Sequence, residues 1–88
     1  MVELNEEVLT DVVKRLRRVQ GQVGGLVQMI ESGRDCKDVI TQLAAASRAL
    51  DRAGFKLIAS GLEQCISDGS EQSVADRAQL EKLFLALA

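Results

Sequence analysis

Apolar residues in the first third of the chain recur at a spacing that only a helix uses. Leu9, Val12, Leu16, Val19, Val23, Leu26 and Ile30 step alternately by three and four residues, which lines them up as one coiled-coil-like seam. Val13 and Val27 widen the stripe. The pattern predicts a first helix over about 6–32, ended by Ser32-Gly33. Gly21, Gly24 and Gly25 lie inside it, each about 1 kcal/mol less favourable than alanine and each small enough for another backbone to come close. The next segment keeps the same rhythm through Cys36, Ile40, Leu43, Ser47, Leu50, Gly54, Leu57 and Gly61. Asp35 is its expected N-cap, no proline interrupts it, and Asp68-Gly69 breaks the chain. A second helix is therefore expected over about 35–67. Its small middle, Ala44-Ala45-Ala46-Ser47, suits a tight helix crossing. A shorter third helix over about 71–87 carries Val74, Leu80, Leu83, Phe84 and Leu87. Without internal repeat, low-complexity stretch or linker, residues 1–88 read as one all-α, three-helix domain.

Composition sharpens this picture. Of the 88 residues 47% are apolar, with two Phe and no Trp, Tyr or Pro, as in helical bundles rather than sandwiches or barrels. A chain this short stabilises a single core only marginally, so self-association is expected. The formal charge is −2 but unevenly spread: KRLRR at 14–18 is a basic block, while Glu3, Glu6, Glu7 and Asp11 are acidic. No apolar run approaches membrane-spanning length and no leader is visible. Two widely spaced cysteines do not make a secreted disulfide framework, so the expected compartment is a reducing cytoplasm. The chain has no histidine, no Gly-rich phosphate loop and no evident catalytic carboxylate pair, all of which argues against an enzyme.

The two thiols pose the main question. Cys36 opens the second helix and Cys65 follows 29 residues later, about 43 Å away along a continuous helix. They can meet if the helix breaks sharply at Gly54, or if two copies pack antiparallel with Cys36 facing the partner's Cys65. In that second arrangement facing positions sum to 101. Ile40 then meets the partner's Gly61, Leu43 the partner's Ile58, Ala44 the partner's Leu57, and Ser47 the partner's Gly54. Large residues meet small ones at Ile40–Gly61 and at Ala44–Leu57, as interdigitating packing requires. Arg34 and Lys37 beside Cys36 favour a thiolate at the helix N-terminus, while Asp35 and Asp38 oppose it. On the residues alone, two packing thiols and one reactive pair both remain open.

The stretch RLRRVQGQVGGLVQMIESGRDCKDVITQLAAASRAL, followed by GLEQC, resembles the copper-sensitive operon repressor (CsoR/RcnR-like) family of bacterial transcriptional repressors. The likeness covers about residues 10–66 and rests on RxxGQ from Arg18 to Gln22, on Asp35-Cys36 and on the LxxC that ends at Cys65. It implies an antiparallel helical-bundle homodimer, assembling into a tetramer, that binds operator DNA without a helix-turn-helix. The copper sensors carry a histidine four residues before the second cysteine, where this chain has Gly61, and a tyrosine before the first, where it has Asp35. A glutamate of the third helix is retained as Glu81, which the resemblance makes a buried relay between sensing site and DNA surface. Without histidine neither a trigonal S₂N copper site nor a histidine-rich nickel or cobalt site can be built, so no metal and no cofactor is expected. The formaldehyde-sensing subgroup has a proline after Met and lacks the second cysteine; Val2 and Cys65 depart from it.

The subgroup that keeps both cysteines without the histidine is the persulfide- and polysulfide-responsive CsoR-like sulfurtransferase repressor. Its segment around the first cysteine is very close to GRDCKDVITQ. The resemblance thus implies that Cys36 attacks a sulfane sulfur and the partner's Cys65 resolves it, giving di- to tetrasulfide crosslinks that release DNA. Lys14, Arg15, Arg17 and Arg18, with Gln22 one turn later, make a basic face on the first helix that suits DNA, and the resemblance carries that role for Arg15, Arg18 and Gln22. Arg48, Arg52 and Lys56 make a basic stripe on the second; there, pairing with Asp51 and Glu63 on a solvated face competes with DNA binding. The rival readings are a Cu(I)-responsive repressor using two thiolates, a sensor of another thiol modifier, and a helical oligomerisation protein that binds no DNA.

Overall fold

Local chemistry at the helix ends sets the architecture. The structure is a computed structural model that describes residues 4–88, less the side chains of residues 67 and 68; Val2 and Glu3 lie outside the described residues. Helix α1 spans Glu6–Glu31. The Asn5 side chain accepts from the Glu7 amide at 2.7 Å, and Glu6 and Glu7 place negative charge in the first turn, where the helix dipole favours it. Gly33 closes α1 with φ +75°. The Arg34 amide donates to the Met29 carbonyl and the Gly33 amide to the Ile30 carbonyl, a Schellman ending that needs a residue free to turn left-handed.

Helix α2, Cys36–Asp68, is capped by Asp35, which accepts from the Lys37 amide at 2.9 Å. It ends at Gly69, φ +69°, whose amide donates to the Cys65 carbonyl. Helix α3, Glu71–Leu87, starts at Ser70, whose hydroxyl accepts from the Ser73 amide at 3.1 Å. Each helix begins and ends within a residue of its expected bounds. Helix α2 runs unbroken through Gly54, which removes a sharp break there as a way to join the two thiols.

The three helices do not close into a bundle. Helix α2 packs against α1 and against α3, while α1 and α3 make no contact among the described residues. The protomer measures 54 × 24 × 14 Å, so it is little more than one helix thick. Its radius of gyration is 16.7 Å, against about 12 Å for a compact chain of this length. The core is correspondingly thin: Val12, Val19 and Leu26 of α1 with Ala46, Ala53, Ile58 and Cys65 of α2.

The expected α1 seam is split. Val12, Val19 and Leu26 are buried, whereas Leu9, Leu16, Val23 and Ile30 stay exposed, as do Val13 and Val27. The reason is geometric: a seam two rows wide needs neighbours on both sides, and α1 has only α2. The small middle of α2 behaves as expected, with Ala46 buried and Ala44 and Ala45 half-buried. Helix α3 is held at its C-terminal end. Phe84 tilts onto Phe55 with ring centroids 5.2 Å apart, and Leu87 packs onto Gly54, while Val74, Leu83 and Leu85 remain exposed.

Candidate functional site

Two clusters carry chemistry, and α2 contributes to both. Cys36 is the first residue of α2 and is exposed; Cys65 is buried at 6% exposure, and both are free thiols. The charges expected to act on Cys36 are partly engaged with one another. Arg34 Nη2 meets Asp38 Oδ2 at 3.3 Å across the first turn, and the Asp35 carboxylate caps the helix. Gly61 is buried one turn before Cys65.

Burial also corrects the full-length self-packing face expected on α2. Leu87 already stands over Gly54, and Ile58 and Gly61 are buried inside the protomer. Ile40, Leu43 and Ser47 are exposed. Because α3 folds back along α2, the face is open only over its N-terminal half.

The second cluster is a cleft of about 210 Å³ lined by Arg15, Arg18 and Gln22 of α1 and by Ala49 and Arg52 of α2. Four of the residues expected to contact DNA thus converge from two helices. Lys14, Arg17 and Arg48 are exposed but do not line this cleft. Lys56 is tied to α1: its Nζ lies 2.6 Å from Asp11 Oδ2. The same oxygen accepts from Arg15 Nε at 2.8 Å. These hydrogen bonds, from Lys56 first and Arg15 second, hold the Asp11 carboxyl down to about 2. Asp11 therefore neutralises Lys56, where sequence reasoning had offered Asp51 or Glu63. Its position four residues before Arg15 on one helix face was the available signal; nothing local marked Ala49.

Glu81 departs from its expected burial. Its side chain is 64% exposed and lies 3.9 Å from Arg77 on its own helix. With Leu62, Phe84 and Leu85 it lines an apolar hollow of about 340 Å³. Among the described residues no group of three or more His, Cys, Asp or Glu side chains comes together to hold a metal ion. Gly61, one turn before Cys65, offers no donor and the chain has no histidine, so a trigonal copper site of two thiolates and an imidazole does not fit these residues. No described helix is long and apolar enough to cross a membrane.

Comparison with known proteins adds a family to this geometry. The family model described as metal-sensitive transcriptional repressor matches residues 9–88. The copper-sensing transcriptional repressor RicR of Mycobacterium tuberculosis is 44% identical over 54 residues, covering 61% of this chain and 56% of that protein. The copper-sensing transcriptional repressor CsoR of Bacillus subtilis is 29% identical over 78 residues, covering 83% of this chain and 77% of that protein. The uncharacterised Bacillus subtilis protein YrkD is 43% identical over 44 residues, covering 50% and 70%. The chain thus spans between about half and three quarters of the length of these relatives. No solved structure matches it.

Proposed function

This chain belongs to the metal-sensitive transcriptional repressor family, a family of repressors and not of enzymes, and from that premise we propose that it is a DNA-binding repressor switched by its two thiols. The carrying observation is that Cys36 and Cys65 stand at opposite ends of one unbroken helix, in a protomer that leaves apolar rows uncovered on α1 and on the N-terminal half of α2. Antiparallel association of two copies through the α1 rows covers them and sets the two α2 helices in opposite directions, so that the Cys36 end of one lies toward the Cys65 end of the other. Two such dimers pairing would give a tetramer. DNA is the partner of the basic cleft, and the cytoplasm is where a bacterial repressor meets it.

The inducer is a persulfide or polysulfide. The exposed Cys36 thiolate attacks the sulfane sulfur of RS–SH, and RS⁻ leaves, so that Cys36 carries a persulfide. The partner's Cys65 thiolate then attacks the Cys36 sulfur and expels HS⁻, leaving a disulfide between protomers. Two thiols are oxidised and the sulfane sulfur is reduced to sulfide. Where both cysteines are persulfidated first, their condensation gives a trisulfide and releases H₂S. Exposure of Cys36 and burial of Cys65 support this order of attack and resolution. The crosslink fixes one α2 against the other and lowers affinity for DNA.

A second reading has its own support in the names of the relatives: a Cu(I)-responsive repressor in which the two thiolates bind the ion linearly. One experiment separates the two. The reduced protein is treated anaerobically with inorganic polysulfide or with Cu(I), then taken to non-reducing intact-mass analysis and to binding of labelled DNA from upstream of its own gene. Crosslinked protomers with added sulfur mass and released DNA support the persulfide reading. Unmodified thiols under polysulfide, with release by Cu(I) alone, replace it with the copper reading.

A further inference from the structure

Arg15 divides its guanidinium between two tasks. Its Nε–H is taken by Asp11 Oδ2 at 2.8 Å, which leaves the two terminal amino groups as donors. Its side chain also lines the cleft with Arg18, Gln22 and Arg52. Among the described residues no carboxylate lines that cleft. Asp11 Oδ2 receives Lys56 Nζ as well, at 2.6 Å, so one oxygen joins α1 to α2 beside Arg15. Three guanidiniums converging on a concave space suit a tetrahedral oxyanion; a base edge offers no matching charge.

We propose that the cleft seats one backbone phosphate of duplex DNA and that Asp11 is a positioning residue, which holds Arg15 with its terminal amino groups turned to that phosphate. The proposal rests on the DNA-binding reading above. It makes an unusual demand of an acidic residue. Charge alone predicts that removing Asp11 strengthens binding to a polyanion, because the local field becomes more positive. Positioning predicts the reverse.

The test is fluorescence anisotropy over a range of salt with two labelled duplexes, one from upstream of the protein's own gene and one of scrambled sequence. The wild type is compared with Asp11→Asn, Asp11→Glu, Arg15→Lys and the Asp11→Asn/Arg15→Lys double variant. Asp11→Asn should weaken binding to both duplexes about tenfold, the scale of one charge-assisted contact, because a phosphate contact carries no sequence information. Its salt slope should become shallower by about one unit. Asp11→Glu should recover most of the affinity. Arg15→Lys keeps the charge but loses the fork, and should lose as much as Asp11→Asn. The double variant should be no weaker than either single one, since Asp11 acts through Arg15.

Equal or tighter binding by Asp11→Asn, or additive losses in the double variant, overturns the proposal. If Asp11→Asn loses its helical circular dichroism, Arg15→Lys decides alone, and full retained affinity and slope overturns it. A cleft that binds inorganic phosphate at constant ionic strength, with no Asp11 effect on DNA, belongs to a free anion and overturns it too. Failure of the wild type to bind either duplex is distinct: it removes the DNA reading, and this inference with it.

Discussion

A methyl of Leu87, the last residue of α3, lies 2.8 Å from where a β-carbon on Gly54 would stand. Gly54 is the notch in α2 into which the end of α3 closes, and the Phe55–Phe84 pair beside it completes the clasp. This contact fixes where α3 lies, and hence which half of α2 stays open.

Replacing Gly54 with alanine should change stability little. Alanine improves helix propensity by up to about 1 kcal/mol and displaces only the far end of a flexible side chain. Gly54→Phe overfills the notch, at a cost of about 1–3 kcal/mol, and should free α3. Amide exchange followed by mass spectrometry should then accelerate across residues 71–87 and stay unchanged in α1. Acceleration spread equally over α1 would show that the notch supports the whole protomer.

Asp11 gives the chain an acid-sensitive contribution of known sign. Its carboxyl is lowered from 3.8 to about 2 by Lys56 and then Arg15, so the folded state favours the ionised form. The stabilisation is present above about pH 4 and is lost as pH falls toward 2. Urea midpoints of the wild type should therefore fall more steeply over that interval than those of Asp11→Asn. Added salt should shrink the difference, because the group is accessible to solvent. Parallel pH profiles for the two proteins would contradict the assignment.

The exposed row on α1 predicts assembly. Val23 is 49% exposed in the protomer, so Val23→Glu in an isolated chain should shift stability by no more than about 0.5 kcal/mol. In an oligomer that covers the row, the same change buries a charge. Sedimentation velocity should find wild-type protein associated and Val23→Glu shifted toward monomer. Unchanged association would move the interface elsewhere.

Helix bounds were legible because their signals are local: Asp35, Gly33 and Gly69 act within a few residues of where they stand. Periodicity correctly marked the apolar residues of α1 but could not say which row meets α2, since it reports a face and not the number of neighbours. The convergence of Arg15, Arg18, Gln22 and Arg52 was legible only in part. Same-helix steps were visible, but the antiparallel pairing that sets Arg52 beside Arg15 is a tertiary fact. Asp11 was overlooked for the same reason, because its second partner, Lys56, lies on another helix. Glu81 was misjudged in burial because its place at the edge of a one-helix-thick layer has no local signature. The oligomer register suffered likewise: nothing in the repeat of α2 reveals that Leu87 returns to fill Gly54.

The separation of α1 from α3 has a mechanical corollary. With no contact between the outer helices among the described residues, α2 acts inside a protomer as a single shaft carrying Arg52 and Cys65 on one rigid rod, about 20 Å apart. A twist or slide applied at the Cys65 end is delivered to Arg52 through that rod alone. Such a transmission has no redundancy, and a proline placed between the two residues would uncouple them while leaving both groups of side chains in place.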